Sequence, residues 1–213
     1  MQWLVLKFQS LMQGFRKEAC KVVVAGVLAL QGDFREHVAI FESIGVKAIE
    51  VRNRQDISKC EMLVIPGGES TAISNLFSVS GLDLEIKKRA KHGMIVFGTC
   101  AGAILLAKKV VGEKRYKPLG LIDIEIKRNA FGRQIDSFEA EINAKGIGKV
   151  NGVFIRAPEI LRCGKKVEIL GTFHDKPVLA RQHNVVVSTF HPEIVKDNKI
   201  HLMLVELSKI IQK

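Results

Sequence analysis

Met94-Ile95-Val96-Phe97-Gly98-Thr99-Cys100-Ala101-Gly102-Ala103-Ile104-Leu105-Leu106-Ala107-Lys108-Lys109 is the stretch that decides the fold. Its apolar start, Met94 to Phe97, reads as a buried strand, and Ala101 to Lys109 reads as a helix. Between them lies a G-x-C-x-G turn. Strand, sharp turn and helix together have the geometry of a nucleophile elbow. The flanking glycines let the backbone turn tightly and leave room beside the sulfur. The cysteine then sits where the unpaired N–H groups of a helix start favour negative charge.

Upstream, Lys21 to Ala29 is a Val-rich strand, and Gln31-Gly32-Asp33 is a turn with Asp33 placed to cap a helix. Phe34, Val38, Phe41 and Ile44 mark that helix's apolar face, and Gly45 ends it. Val46 to Val51 is a second strand. Met62 to Ile65 is a third, stopped by Pro66-Gly67-Gly68, and helices follow from about Ser70, the expected cap, and over Leu82 to His92. This alternation predicts an α/β fold: a mostly parallel central sheet with helices on both faces. Right-handed crossovers place the strand C-terminal ends on one rim, so the PGGES loop and the cysteine turn share it. Downstream, Leu121–Ile126, Ser137–Ile142, Gly152–Ile155, Val167–Leu170, Val178–Gln182 and Val185–Thr189 read as short strands, some added antiparallel. Asp197 is placed to cap a last helix with Ile200, Leu204, Leu207 and Ile211 on its apolar face. The expectation is one domain over 21–213, preceded by an extension, 1–20, of unassigned role.

The formal charge of +11 allows an acidic partner, yet the basic residues form only short clusters. Lys87-Lys88-Arg89 and Lys165-Lys166 read as solvated faces. One Trp and one Tyr argue against a stacking surface for single-stranded nucleic acid. No apolar run approaches the roughly 20 residues that cross a membrane. The four cysteines (Cys20, Cys60, Cys100, Cys163) form no C-x-x-C pair, which points to reduced thiols in a cytoplasmic protein.

The second chemical element is His191-Pro192-Glu193, just after the strand Val185–Thr189. In extended chain, residues two apart point to one side. His191 can then meet Cys100 while Glu193 holds the other ring nitrogen, the nucleophile–base–acid logic of a triad. The other histidines lack this context; His37, within a helix, reads as packing or surface. The glycine amides of Gly67-Gly68 can approach a developing oxyanion, with the amide of Ala101 as second donor.

Taken together, these segments resemble the class I (triad) glutamine amidotransferases, and more narrowly the glutaminase subunits of pyridoxal 5′-phosphate synthase. The resemblance is carried by Gly26–Gly32, Pro66–Thr71, Gly98–Gly102, Arg128–Gln134, Asp136–Ala140, Phe154–Pro158 and Phe190–Glu193, and runs from about Val22 to the last helix. PGGEST, RN-x-FGRQ, DSFEA and FIRAP in this order are more specific than the elbow or HPE. Ala72 replaces a usual Thr, a change that threatens little, and the extension 1–20 departs from the pattern.

The resemblance implies Cys100 as nucleophile with His191 and Glu193, an oxyanion site at Gly68 and Ala101, and glutamine contacts from Gly68, Glu69, Ser70, Arg128, Ile155 and Arg156. Gln31 is implied at the site rim, where it helps couple the subunits. It further implies L-glutamine hydrolysis to glutamate and ammonia, no metal or organic cofactor, and a partner synthase subunit forming a dodecameric core around which glutaminase subunits dock. Ammonia passes to that partner for vitamin B6 synthesis. No nucleic acid or membrane is expected as partner. A glutaminase serving a different synthase shares the triad, but PGGES, RN-x-FGRQ and FIRAP argue against it. A non-catalytic relative is opposed by the intact Cys100, His191 and Glu193.

Overall fold

The computed structural model describes residues 23–128 and 137–211. The N-terminal extension and the RN-x-FGRQ segment beyond Arg128 lie outside the described residues. In chain order the first half runs β1 (Val24–Leu28), α1 (Phe34–Ser43), β2 (Lys47–Val51), α2 (Arg54–Ile57), β3 (Met62–Ile65), α3 (Ser70–Ser80), α4 (Leu82–Lys91), β4 (Ile95–Thr99) and α5 (Ala101–Leu106). The second half runs β5 (Ala107–Val110), β6 (Ile122–Lys127), β7 (Ser137–Ala144), β8 (Gly148–Ile155), β9 (Glu159–Cys163), β10 (Glu168–Phe173), β11 (Lys176–Gln182), β12 (Val185–Ser188) and α6 (Lys199–Ile211).

The central sheet has the order β10-β11-β12-β4-β3-β1-β2. From β12 to β2 every pairing is parallel, and β11 and β10 extend the β12 edge antiparallel. Every residue of β3, β4 and β12 is buried. Strands covered on both faces need apolar side chains on both, which is why these segments read as continuous hydrophobic runs. Alternate residues feed two cores. Leu28, Leu63 and Val96 pack with Ile73, Phe77, Ile86 and Leu105 of α3–α5. Val27, Val64 and Phe97 pack with Phe41 of α1, Ile200 and Leu204 of α6, and Phe154 of β8.

The chain reverses direction across the sheet at β1: β2 lies on one side and β3 on the other. Loops leaving β1 and β3 therefore part at a switch point, the place where open α/β sheets form their binding crevice. Among the described residues no helix is long and apolar enough to cross a membrane.

Four local features differ from the sequence reading. The helix after Cys100 stops at Leu106, and Ala107 to Val110 form β5, which pairs parallel with β6. Lys108 and Lys109, helix formers by propensity, instead ion-pair with Asp123 and Glu125 of β6 at 2.9 and 3.3 Å; sheet pairing overrides the weak local preference. The charged strand β9 pairs antiparallel with β6, with Arg162 Nε donating to Glu125 at 3.0 Å. The short helix α2 has an Asn53 side chain that accepts from the Asp56 N–H. Arg89, expected in a solvated cluster, donates to the Cys60 carbonyl at 2.7 Å.

Candidate active site

Cys100 links β4 to α5 with φ 48° and ψ −100°. A side chain at positive φ is sterically costly and persists only where the surroundings impose it. Here they do. The Cys100 N–H donates to the Ser188 carbonyl of β12 at 2.9 Å. A Cβ on Gly98 would stand 2.6 Å from the Gly102 carbonyl carbon, and one on Gly102 would collide with the Ile65 carbonyl oxygen. Both glycines of the motif are thus required by the close approach of α5 to β3 and β4. Gly102→Ala is expected to lower stability by about 3 kcal/mol, the upper end for overpacking, read as a fall in thermal midpoint together with lost activity. An unchanged midpoint would contradict this packing. Cys60 shows the contrast with a structural thiol: it is buried, and burial pushes it up to about 12. Among the described residues Cys60, Cys100 and Cys163 are all free thiols.

His191 follows β12 and is tied to β8 by paired backbone bonds: its N–H donates to Val153 O at 2.8 Å and Val153 N–H donates to His191 O at 3.1 Å. Gly152 makes this approach possible, since a Cβ there would strike the Phe190 ring. His191 Nδ1 lies 2.7 Å from Glu193 Oε1, and both side chains are buried. That leaves Nε2 for the thiol. Burial alone would lower the imidazole's proton affinity, but hydrogen bonds with Cys100 and Glu193 outweigh it and raise the pKa to about 10. Burial likewise opposes the Glu193 charge; His37 and His191 overcome it and hold the carboxyl well below the usual range.

These shifts make a stability prediction. The folded His191 pKa, about 10, exceeds its ordinary 6.5. Its contribution is therefore complete below pH 6.5 and is lost as pH rises through 10. The Glu193 contribution, from a lowered pKa, is complete above its ordinary 4.5 and is lost in acid. The thermal midpoint should fall between pH 6.5 and 10, and His191→Gln should flatten that fall. Parallel pH profiles for the two proteins would exclude this pair as its source.

The crevice loops meet beside this pair. A Cβ on Gly32 would collide with the Gly67 carbonyl oxygen, and one on Gly67 would strike the His191 ring. Gly68 sits at φ 150° against Gln31, whose Oε1 accepts from the Glu69 N–H at 2.8 Å. The helix cap is Glu69 rather than Ser70: the Glu69 carboxylate accepts from the N–H groups of Thr71 and Ala72 at 3.1 and 2.7 Å. Ser70 is buried and lies within 3.0 Å of the Tyr116 hydroxyl. Arg128 donates to Glu69 at 3.0 Å and to Glu113 at 2.7 Å. At the end of β8 the Ile155 carbonyl faces Cys100 Sγ at 3.9 Å. Arg156 follows with φ 43°, and both Ile155 and Arg156 are exposed. One rim thus gathers the cysteine, the His–Glu pair, a glycine loop, a carbonyl and an Arg–Glu pair. Asp33, His191 and Glu193 also present ligand atoms within 4.8 Å of one another, but the His191–Glu193 hydrogen bond already accounts for two of them.

The model of the SNO glutamine amidotransferase family matches residues 27–209. The chain belongs to this family. Among relatives of this SNO-family chain, a pyridoxal 5′-phosphate synthase subunit PdxT from Thermus thermophilus is 46% identical over 188 residues, covering 88% of this chain and 98% of that one. The PdxT subunit of Methanothrix thermoacetophila is 50% identical over 183 residues, covering 85% and 97%. A crystal structure described as a glutamine amidotransferase superposes with a TM-score of 0.84 at 46% identity, covering 86% and 98%. PurLQS of Thermotoga maritima shares the fold alone, with a TM-score of 0.65 at 14% identity over 87% and 99% of the two chains.

Four residues of this SNO-family site escape a local reading. Asp33 occupies the N-cap position of α1 but makes no side-chain cap; its Oδ2 turns to His191 Nδ1 at 3.5 Å. Glu113, in the segment after β5, grips Arg115 and Arg128, and those partners hold its carboxyl well below the usual range. Tyr116 reaches Ser70 from the same segment. His37, read as packing or surface, is fully buried beside Glu193. No spacing rule marks Glu113 or Tyr116. For His37 the signal was an imidazole on the inward face of an amphipathic helix.

Proposed function

We propose that this chain is the glutaminase subunit of a pyridoxal 5′-phosphate synthase, hydrolysing L-glutamine to glutamate and ammonia through Cys100, His191 and Glu193. The observation that carries the reading is Cys100 held at positive φ beside a buried, hydrogen-bonded His191–Glu193 pair. The PdxT relatives supply the choice of pathway.

His191 enters the reaction protonated, since its pKa stands near 10. The reacting sulfur is the thiolate. It attacks the side-chain amide carbon of glutamine, and the oxyanion is met by the amides of Gly68 and Ala101. The imidazolium gives its proton to the nitrogen, the C–N bond breaks, and ammonia leaves a glutamyl thioester. With the sulfur acylated, its negative charge no longer supports the proton on His191. The neutral ring then takes a proton from water, the resulting hydroxide attacks the thioester, and the thiolate departs from glutamate.

The Glu69–Arg128 pair offers both charges that the glutamine α-carbon requires, an anion for its ammonium and a cation for its carboxylate. Gly68, Ser70, Ile155 and Arg156 complete the contacts in this reading. The Gly67 carbonyl accepts from Asp33 N–H across a long 3.4 Å. So weak a bond suits a peptide that turns to finish the oxyanion site when the synthase subunit docks. Ammonia then passes to that subunit, a member of a dodecameric core in the expected assembly.

The test is glutamate release from L-glutamine with and without a pyridoxal 5′-phosphate synthase subunit. Release that rises on adding the synthase supports both activity and partner. A folded chain that is silent under both conditions overturns the proposal.

A further inference from the structure

Near the Glu193 oxygen that accepts from His191 lie two further imidazoles that the reaction does not use. His37 of α1 and His201 of α6 are both fully buried. His37 Nε2 stands 3.4 Å from Glu193 Oε1 and 3.4 Å from Thr99 Oγ1, and His37 Nδ1 stands 2.8 Å from His201 Nε2. Around them the setting is aromatic. His37 meets Phe97 edge-on with centroids 6.2 Å apart, and His201 meets Phe41 and Phe97 at 5.0 and 6.1 Å. Polar rings inside such a core are costly unless their hydrogen bonds are made.

Proton placement gives the row a direction. Glu193, ionised, only accepts, so the His37 nitrogen facing it carries the proton. Burial above all pushes the His201 pKa down to about 3, so that ring is neutral at working pH. His201 Nδ1 has no partner among the described residues. One proton lies between His37 Nδ1 and His201 Nε2, and it keeps the two rings in fixed orientation. The groups facing Glu193 Oε1 are thus His191 at 2.7 Å and His37 at 3.4 Å, with His201 beyond His37. Asp33 faces the same His191 nitrogen at 3.5 Å and competes with Glu193 for it.

We propose that His37, backed by His201, is a positioning residue: it donates to the same Glu193 oxygen that accepts from His191 Nδ1, fixes that carboxylate in place, and so aims the imidazole at Cys100. His37 touches neither glutamine nor sulfur. The inference rests on the triad reading above.

The test is steady-state glutamate release by the full chain with its synthase subunit, for wild type, His37→Leu, His37→Gln, His201→Phe and a Cys100→Ala control. His37→Leu should lower kcat about 10- to 100-fold, the range for losing an outer partner of a working histidine, and leave the KM for glutamine nearly unchanged. His37→Gln, whose amide N–H can reach Glu193, should recover most of the loss. The downfield proton resonance of the His191 Nδ1–H should move in the Leu variant and return in the Gln variant. If His37→Leu does not fold, His201→Phe, which fits the aromatic surroundings, should still lower kcat at constant KM. Wild-type kcat in a folded His37→Leu or, failing that, His201→Phe protein overturns the inference, as does a loss that His37→Gln leaves unrepaired. Turnover surviving in Cys100→Ala would instead overturn the triad itself, so the two failures are distinct.

Discussion

Cys100→Ala will release glutamate from L-glutamine at least about 10⁴-fold more slowly than the wild type, the scale on which removal of a nucleophile acts. The substitution deletes one sulfur and leaves Glu69, Arg128 and the glycine loop in place. Glutamine binding, measured by calorimetry, should therefore persist. A second consequence separates chemistry from misfolding. The sulfur is one of the partners that raise the His191 pKa to about 10. In the Ala variant the imidazole should titrate at lower pH, which NMR of the ring protons can follow. Turnover near wild type in a folded Cys100→Ala protein would end the assignment.

Glu193→Gln should cost about 10³- to 10⁴-fold in kcat, by the same logic that makes an orienting acid indispensable to a triad histidine. Glu193 is buried, accepts from His191 at 2.7 Å and is approached by His37 at 3.4 Å. A neutral amide removes the charge that supports the imidazolium, and its NH₂ group cannot accept from either ring. The loss should fall on kcat, because no glutamine contact is altered, and the His191 pKa should drop as well. Full activity with an unshifted His191 would show that Glu193 neither orients nor charges the ring.

Much of this was legible along the chain. The runs of β3, β4 and β12 were readable because strands covered on both faces are mostly apolar, with Thr99 and Ser188 only at their ends. The Gly98–Cys100–Gly102 turn was readable because its geometry is local: two glycines at fixed spacing around one side chain. Alternation in an extended segment was enough to put His191 and Glu193 on one side. Asp197 lies one residue before the cap, since the last helix starts at Lys199 and Asn198 O takes its first bond from the Leu202 N–H, yet its carboxylate accepts from the Lys199 N–H at 3.0 Å and, through the other oxygen, from the Asn151 N–H at 2.9 Å.

What stayed hidden depends on partners far away in sequence. Lys108 and Lys109 are strand residues only because β6 lies beside them. Glu69 displaces Ser70 as cap because its carboxylate reaches two N–H groups while Ser70 turns inward toward Tyr116. Asp33 makes no side-chain cap; its Oδ2 lies instead 3.5 Å from the Nδ1 of His191, 158 positions later.

By itself, then, the amino-acid order determined the strand-and-helix alternation and the rim on which Cys100, His191 and Glu193 gather, because each follows from periodicity, turn chemistry or a short motif. Only the tertiary structure decided which groups surround them: the Ile155 carbonyl brought to the sulfur where β8 bridges to His191, Arg128 shared between Glu69 and Glu113, and His37 set against Glu193 and His201. Those contacts join separate elements, and their hydrogen bonds and charges have meaning only once burial has removed the competing water.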